Sequence, residues 1–197
     1  SCEEEIMNKY NSDNTTNLTL CYDTYTRSMQ FISLTYLNLN LDKNSKIDFA
    51  DIMFSNSEID DFTANPCKIL INGELNFNSE KSNYQSIISD KHLTKSTVIW
   101  EPEAQFAVGN KLRTPNVSSI INEIKNLYGW EINKHITFIF RFAGNSNNGY
   151  RKFFSSIEND KSPSLMWYNG NFPLTNDYKL EKTFLHTISY EDIVIYT

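Results

Sequence analysis

The sequence predicts an all-β fold, an antiparallel, jelly-roll-like β-sandwich with one substantial α-helix. Most of the chain consists of short runs in which apolar and polar residues alternate, with polar turns between them. The runs recur at intervals of about 10 to 25 residues, and few helical stretches separate them. This arrangement is typical of antiparallel sandwiches rather than of folds in which strands and helices alternate.

Eight segments have the alternation of a β-strand. In the longest, Ile32, Leu34 and Tyr36 fall on one face, and the odd-numbered residues from Phe31 to Leu41 fall on the other. A strand with one well-buried face follows from this pattern. The predicted strands are residues 17–22, 29–41, 47–54, 67–75, 97–101, 135–142, 150–157 and 165–168.

One segment, about residues 115–128, has helical spacing instead. Its apolar positions are 117, 120, 121, 124, 127 and 128. Thr114 suits an N-cap, Pro115 suits the first helical position and Gly129 suits a left-handed C-cap. The single apolar stripe predicts a helix that closes one end or face of the sandwich.

The chain is interpreted as a single domain with two flanking parts. We expect a leader over residues 1–16, the β-sandwich domain over 17–168, and a C-terminal extension over 169–197 packed on the same domain. In the extension, apolar residues at 188, 190, 193 and 195 predict one or two further strands. These strands either extend a sheet or pack as a tail.

Charge and hydropathy exclude two classes of partner. The 197 residues include 18 Lys and Arg against 24 Asp and Glu, a formal net charge of −6 at pH 7. The basic residues are scattered, whereas a duplex-binding surface needs a concentrated basic face, so we expect no nucleic-acid partner. No apolar run approaches about 18 residues, which predicts no direct membrane insertion.

Three cysteines, Cys2, Cys21 and Cys67, allow three different pairings and leave one thiol over. Cys21 and Cys67 fall on predicted strands, so a disulfide between these two is our expectation. The histidines His92, His135 and His186 are far apart in sequence, and none stands near a cysteine at zinc-ligand spacing.

Several short motifs, in their order and spacing, resemble one known class of module. They are residues 47–54, with Ile47, Ala50, Ile52 and Phe54, and then residues 69–74, 98–102, 113–124, 129–130, 137–140, 149–151 and 162–168. Together they resemble DNRLRE-type β-sandwich modules, which are related to the alginate-binding class of carbohydrate-binding modules. The resemblance covers about residues 18–168. Asn116 stands where that family usually has Asp, and Phe106 stands where a Trp or similar aromatic residue is common.

The resemblance implies a jelly-roll-like sandwich that is non-catalytic, extracellular and attached to another domain or surface. We therefore expect an extracellular or cell-surface binding and adhesion module that recognises a surface glycan, within a larger multidomain protein or complex. The alternative is a protein–protein interaction domain of a cell-surface or secreted complex of a eukaryotic microbe. An enzyme is not expected, although His135 and Glu101 are the residues to test for turnover.

Aromatic side chains are the natural platform for a sugar, because a pyranose face stacks on an exposed ring. The candidates for this role are Tyr84, Phe106, Trp167 and Phe172. Trp100 and Trp130 occupy positions that indicate core packing instead. Arg151 lies on a predicted strand, where it has either a fixed structural partner or a ligand.

Acidic residues in one turn raise the question of calcium. Glu58, Asp60 and Asp61 cluster there, close in sequence to Asn65. Carboxylate and amide oxygens are the ligands that Ca²⁺ prefers, and sandwich modules often fix a loop with one structural ion. The alternative is a solvated polar turn without metal.

Overall fold

The computed structural model describes residues 10–11, 17–23, 28–78, 92–143, 149–155, 161–168, 186–189 and 192–196. In this part of the chain there are twelve β-strands and one short α-helix. The strands are β1 (Tyr10–Asn11), β2 (Asn17–Asp23), β3 (Ser28–Leu39), β4 (Phe49–Ser55), β5 (Ile69–Gly73), β6 (Val98–Trp100), β7 (Lys111–Arg113), β8 (Lys134–Phe142), β9 (Tyr150–Phe154), β10 (Ser164–Tyr168), β11 (His186–Ser189) and β12 (Asp192–Tyr196), and the helix is α1 (Ser118–Lys125).

The strands form two antiparallel sheets. The larger sheet has the order β1-β12-β3-β8-β5-β6, and β2 joins it by pairing with both β3 and β9. The smaller sheet has the order β11-β10-β4-β7. A single bridge between Asn56 and Phe153 links β9 to the end of β4. The predicted all-β, antiparallel, sandwich-like architecture is confirmed, and the jelly-roll connectivity stays a prediction.

The core lies between the two sheets. Alternate residues of β3, β5 and β8 face alternate residues of β4 and β10, because side chains on a strand point to opposite faces in turn. Phe54 of β4 is at the centre, with its ring centroid 4.7 Å from that of Phe153 and 5.4 Å from that of Trp100. The buried inner residues of the two sheets are Ile32, Leu34, Tyr36, Ile69, Ile71, Ile136, Phe138 and Phe140 on one side and Ala50, Ile52, Phe54, Leu165 and Trp167 on the other.

The helix is shorter than the sequence predicts. It begins at Ser118 and ends at Lys125, rather than extending over 115–128. Thr114 does not cap it, because Thr114 is hydrogen-bonded to Ile52 of β4. The Ile52 N–H donates to Thr114 Oγ1 at 3.0 Å, and the Thr114 N–H donates to the Ile52 carbonyl at 3.0 Å. Gly129 does adopt a left-handed φ of +96°, but it lies beyond the C-cap, Asn126.

A β-bulge changes which side of β3 is buried. Asn38 has a φ of +53°, and the register with β8 shifts between Tyr36 and Leu39. Beyond the shift, Leu39 and Leu41 join the same core as Leu34. The expected assignment of all odd-numbered residues to the opposite face is therefore wrong after Asn38, because the extra residue reverses the alternation.

The chain ends contribute strands to both sheets. β11 pairs with β10 in the smaller sheet, with His186 opposite Trp167. β12 pairs with β3 in the larger sheet. It also pairs with β1, where Tyr10 is opposite Tyr196. Two strands, β1 and β7, were not predicted from the sequence. Among the described residues no helix has the length and hydrophobicity to cross a membrane.

Candidate functional site

Two loops meet where β4 ends. One is the turn over residues 58–65, and the other is the loop over residues 101–110; together we call them the loop end. The main-chain N–H of Gln105 donates to the carbonyl of Thr63 at 3.2 Å. The Gln105 side chain donates to Asn56 Oδ1 at 2.6 Å and to the carbonyl of Lys152 at 3.0 Å. These bonds fix both loops against the strands beneath them.

Apolar side chains project from this surface. Phe106 is 80% exposed, Val108 is 59% exposed and Phe62 is 43% exposed. The Phe62 ring stacks on that of Tyr150, with centroids 6.1 Å apart and an interplanar angle of 24°. Of the two predicted ligand-binding rings that lie in the described part of the chain, Phe106 is the one in solvent, and it lies on a fixed loop. Phe62 and Val108 were missed, because single apolar residues in polar turns give no periodic signal.

Trp167 does not offer a stacking surface. Its indole is 2% exposed and belongs to the core between the sheets, so the expected ligand-binding role is corrected. Trp167 is at an inward position of β10, opposite Ala50 of β4. The small alanine leaves room for the indole. Tyr84 and Phe172, the other two predicted rings, lie outside the described residues.

Arg151 is also buried, at 1% exposure, so of the two roles considered for it the structure supports the fixed structural partner and not the ligand contact. Its guanidinium donates hydrogen bonds of 2.8 Å to the main-chain carbonyls of Asn65, Pro102, Glu103 and Tyr150. Asn65 belongs to one loop of the loop end, and Pro102 and Glu103 belong to the other. Arg151 therefore holds the two loops together from below.

The acidic turn does not gather a calcium site. Asp60 Oδ1 accepts the main-chain N–H groups of Phe62 at 2.9 Å and Thr63 at 3.1 Å, and the Tyr150 hydroxyl donates to Asp60 Oδ2. Glu58 forms an ion pair with Lys152 at 2.9 Å. No three acidic, histidine or cysteine side chains converge anywhere in the described ranges. The calcium expectation for Glu58, Asp60 and Asp61 is corrected, because the three carboxylates do not converge, and the oxygens of Asp60 and Glu58 already have partners in a turn and an ion pair.

The Cys21 and Cys67 thiols are buried and unbridged in this structure. The Cys21 sulfur lies 3.8 Å from the carbonyl of Lys68, the residue after Cys67, and a hydrogen bond joins the two thiols. That bond, together with burial, raises the pKa of the Cys21 thiol. The same hydrogen bond, aided by the charge of Arg151, lowers the pKa of Cys67 although burial opposes the shift.

The two residues considered for catalysis have structural partners. His135 Nδ1 accepts the main-chain N–H of Asn38 at 3.0 Å, at the bulge of β3. Glu101 forms an exposed ion pair with Lys68 at 3.0 Å. The histidine contact lies at the bulge of β3, whereas an exposed ion pair such as that of Glu101 adds little stability, and the two residues belong to different strands and loops.

Fold and loop end together define an all-β, sandwich-like protein with an exposed aromatic surface at one end. No protein-family model matches the chain, and no curated protein matches its sequence.

Proposed function

We propose that this protein is a non-catalytic binding module that recognises a surface glycan through the loop end, with Phe106 and Phe62 as the stacking rings. The observation that carries the proposal is the 80% exposure of Phe106 on a loop whose main chain is fixed. Burying an aromatic ring is favourable, so a ligand that covers Phe106 together with the neighbouring Phe62 and Val108 gains free energy at this surface. A fixed loop also loses little conformational entropy when a ligand binds.

Polar groups around the rings support recognition of a sugar. Glu58, Asp61 and Glu103 are exposed and lie in the same two loops as Phe62 and Phe106. A pyranose has an apolar C–H face and a rim of hydroxyl groups, so it needs a ring and hydrogen-bonding side chains side by side. Such a small number of placed polar groups around an apolar surface is typical of ligand sites.

The proposal includes the resemblance to DNRLRE-type modules and what it implies. The protein then acts outside the cell or on its surface, as one domain of a larger protein or complex. The sandwich-like architecture supports this part only at the level of fold, since unrelated functions occur on β-sandwiches.

The test is a glycan array with the purified protein, its Phe106→Ala variant and a Tyr128→Ala control. Tyr128 is 96% exposed and follows α1, at the opposite end of β4 from Phe106. We expect selective binding that Phe106→Ala abolishes and Tyr128→Ala leaves unchanged. Binding that both variants retain, or that both lose, contradicts the proposal.

A protein partner is the second candidate function. Phe62, Phe106 and Val108 are purely apolar at their exposed ends, which favours an anchor in a protein interface. A blank array, with Phe106-dependent binding to intact cells that survives enzymatic deglycosylation and is lost after surface proteolysis, supports this candidate. Binding that deglycosylation removes returns the assignment to a glycan.

A further inference from the structure

The main chain brings three chemically special side chains together beneath the loop end: Cys21, Cys67 and Arg151. Cys21 of β2 is opposite Tyr150 of β9, the residue before Arg151. Its sulfur lies 3.8 Å from the carbonyl of Lys68, the residue after Cys67. The Cys21 sulfur therefore lies beside the main chain that carries Cys67, which is 46 positions away in sequence.

The local backbone is unusual on both sides of this contact. Cys21 has a φ of +84°, a left-handed conformation that non-glycine residues seldom adopt, and it interrupts the alternation of β2, since Leu20 and Cys21 are both buried. On the other side, Gly149 lies so close to the main chain of Pro66 that a Cβ atom there would be 2.2 Å from the Pro66 oxygen. A left-handed φ such as that of Cys21 persists where the surrounding structure holds it, often at functional sites.

Arg151 supplies a buried charge that its hydrogen bonds do not balance. Its four partners are main-chain carbonyls, which carry no net charge, and no described carboxylate forms an ion pair with it. The guanidinium stays protonated in proteins, so its charge is permanent. That charge favours the ionised form of the Cys67 thiol, and a thiolate there gives Arg151 a counter-charge.

We propose that Cys21 and Cys67 form an exchangeable dithiol–disulfide site, in which Cys67 is the attacking thiolate, Arg151 stabilises it and a low-molecular-weight disulfide is the oxidant. The inference does not depend on the proposed binding function. In the first step, the Cys67 thiolate attacks one sulfur of the oxidant, forms a mixed disulfide and releases one thiolate of the oxidant. In the second, Cys21 gives its proton to that released thiolate, attacks the Cys67 sulfur and releases the second thiolate. The protein thereby loses two electrons and one proton, and the oxidant becomes one thiol and one thiolate.

Both sulfurs are buried, so exchange proceeds through local opening of the segment that carries Cys67. This segment, residues 65–68, precedes β5 and contacts Arg151 through the Asn65 carbonyl. Oxidation then joins β2 to the start of β5 across a long loop. Closing such a loop covalently restricts the unfolded chain, and we expect the melting temperature to rise by about 10 °C.

The experiment uses the full chain with Cys2→Ser, so that Cys21 and Cys67 are the two cysteines left to react. The protein is incubated with oxidised glutathione, quenched with acid, alkylated and mapped by mass spectrometry. We expect an intramolecular Cys21–Cys67 disulfide, a rise in melting temperature and reversal of both by dithiothreitol. Two thiols that both remain alkylatable after incubation overturn the proposal.

Single variants distinguish the attacking sulfur. Cys21→Ser leaves the attacking thiolate without its resolving partner, so glutathione should be trapped on Cys67 as a stable mixed disulfide. Cys67→Ser should leave Cys21 largely unmodified over the same time. Equal trapping on the two cysteines shows that neither is specially activated and overturns the assignment of roles.

Arg151 is tested in the Cys21→Ser background by a charge-removing and a charge-keeping change. We expect Arg151→Gln to slow the trapping of glutathione on Cys67 at least about tenfold, which corresponds to one pKa unit of thiolate population, and Arg151→Lys to restore most of the rate. A loss of packing alone does not make lysine rescue the rate, so similar rates in both variants contradict the electrostatic role. Circular dichroism checks that each variant folds, and the comparison of the two cysteine variants decides the proposal if Arg151→Gln unfolds.

Discussion

The side-chain oxygen of Asn116 accepts a hydrogen bond from the main-chain N–H of Ala50, at 3.0 Å. The same oxygen accepts the N–H of Ser118, the first residue of α1, at 2.9 Å, and the Asn116 amide nitrogen donates to the carbonyl of Asp48 at 3.1 Å. The Asn116 amide therefore makes the hydrogen bonds to the start of β4 that a neighbouring strand would otherwise make. It also bonds the first residue of α1. An aspartate could make only the two acceptor contacts, because a carboxylate has no N–H to donate.

Replacing Asn116 should loosen the junction of α1 and β4. Asn116→Ala removes three hydrogen bonds and leaves the Ala50 N–H without its partner. We expect a loss of about 2–3 kcal/mol in the free energy of unfolding, measured by chemical denaturation. Ser119→Ala, at an exposed position one turn away, is the control and should change it by less than about 0.5 kcal/mol. Equal effects of the two changes contradict the role assigned to Asn116.

Strands with unbroken alternation were predictable. In β8, Ile136, Phe138 and Phe140 recur every second residue and all face the core. The start of α1 was not predictable. Thr114 and Pro115 have the composition of a helix start, but Thr114 is used by Ile52 in a contact between residues 62 positions apart. Local sequence carries no information about such a partner.

At two places the residue type did not predict whether a side chain is buried, because tertiary packing decides it. The bulge at Asn38 moves Leu39 to the buried side of β3, and nothing in the alternation of residues 29–41 marks the change. Trp167 and Phe106 are both aromatic, yet one faces Ala50 in the core and the other projects from a loop. Exposure, which decides whether a ring can bind a ligand, depends on which strands are paired.

The contrast between Trp167 and Phe106 predicts opposite effects of truncation. We expect Trp167→Ala to lower the free energy of unfolding by about 3–5 kcal/mol, because it leaves a large cavity between the sheets. Phe106→Ala should change it by less than about 0.5 kcal/mol, since the ring is in solvent. Thermal and chemical denaturation of the two variants check this. A stable Trp167→Ala protein would show that the indole is not a core residue.

Gly149 and Gly109 should both be sensitive to substitution by alanine, the first because of steric contact and the second because of its φ angle. At Gly149 an added Cβ would be 2.2 Å from the Pro66 oxygen and 2.6 Å from the Asn65 oxygen, so main chain must move. We expect Gly149→Ala to destabilise the protein by about 3 kcal/mol or more. Gly109 has a φ of +83°, and a Cβ added there would meet no atom within 4 Å, so Gly109→Ala should cost only about 1 kcal/mol from backbone strain. Urea titrations of both variants test the difference, and a reversed order refutes the close packing at Gly149.

The Glu123 carboxylate makes acid stability depend on one side chain of α1. It accepts the main-chain N–H groups of Lys95 at 2.7 Å and Ser96 at 2.8 Å. Burial alone would raise the pKa of Glu123, but these hydrogen bonds and the charge of Lys95 outweigh it, so the folded-state pKa is below its usual value of 4.5. The carboxylate therefore contributes stability that is fully present above the unfolded-state pKa and is lost as the pH falls through the folded-state pKa.

Glu123→Gln keeps the shape of the side chain and one acceptor but removes the titration. We expect it to lower the free energy of unfolding by about 1 kcal/mol at neutral pH. The difference from the unmodified protein should then shrink below about pH 4.5, because protonation removes the advantage of the carboxylate. Urea unfolding at a series of pH values measures both quantities, with Ser119→Ala as a non-titrating control whose curve stays parallel to that of the unmodified protein. A Glu123→Gln curve that also stays parallel down to acid pH shows that the two main-chain N–H groups do not favour the ionised carboxylate.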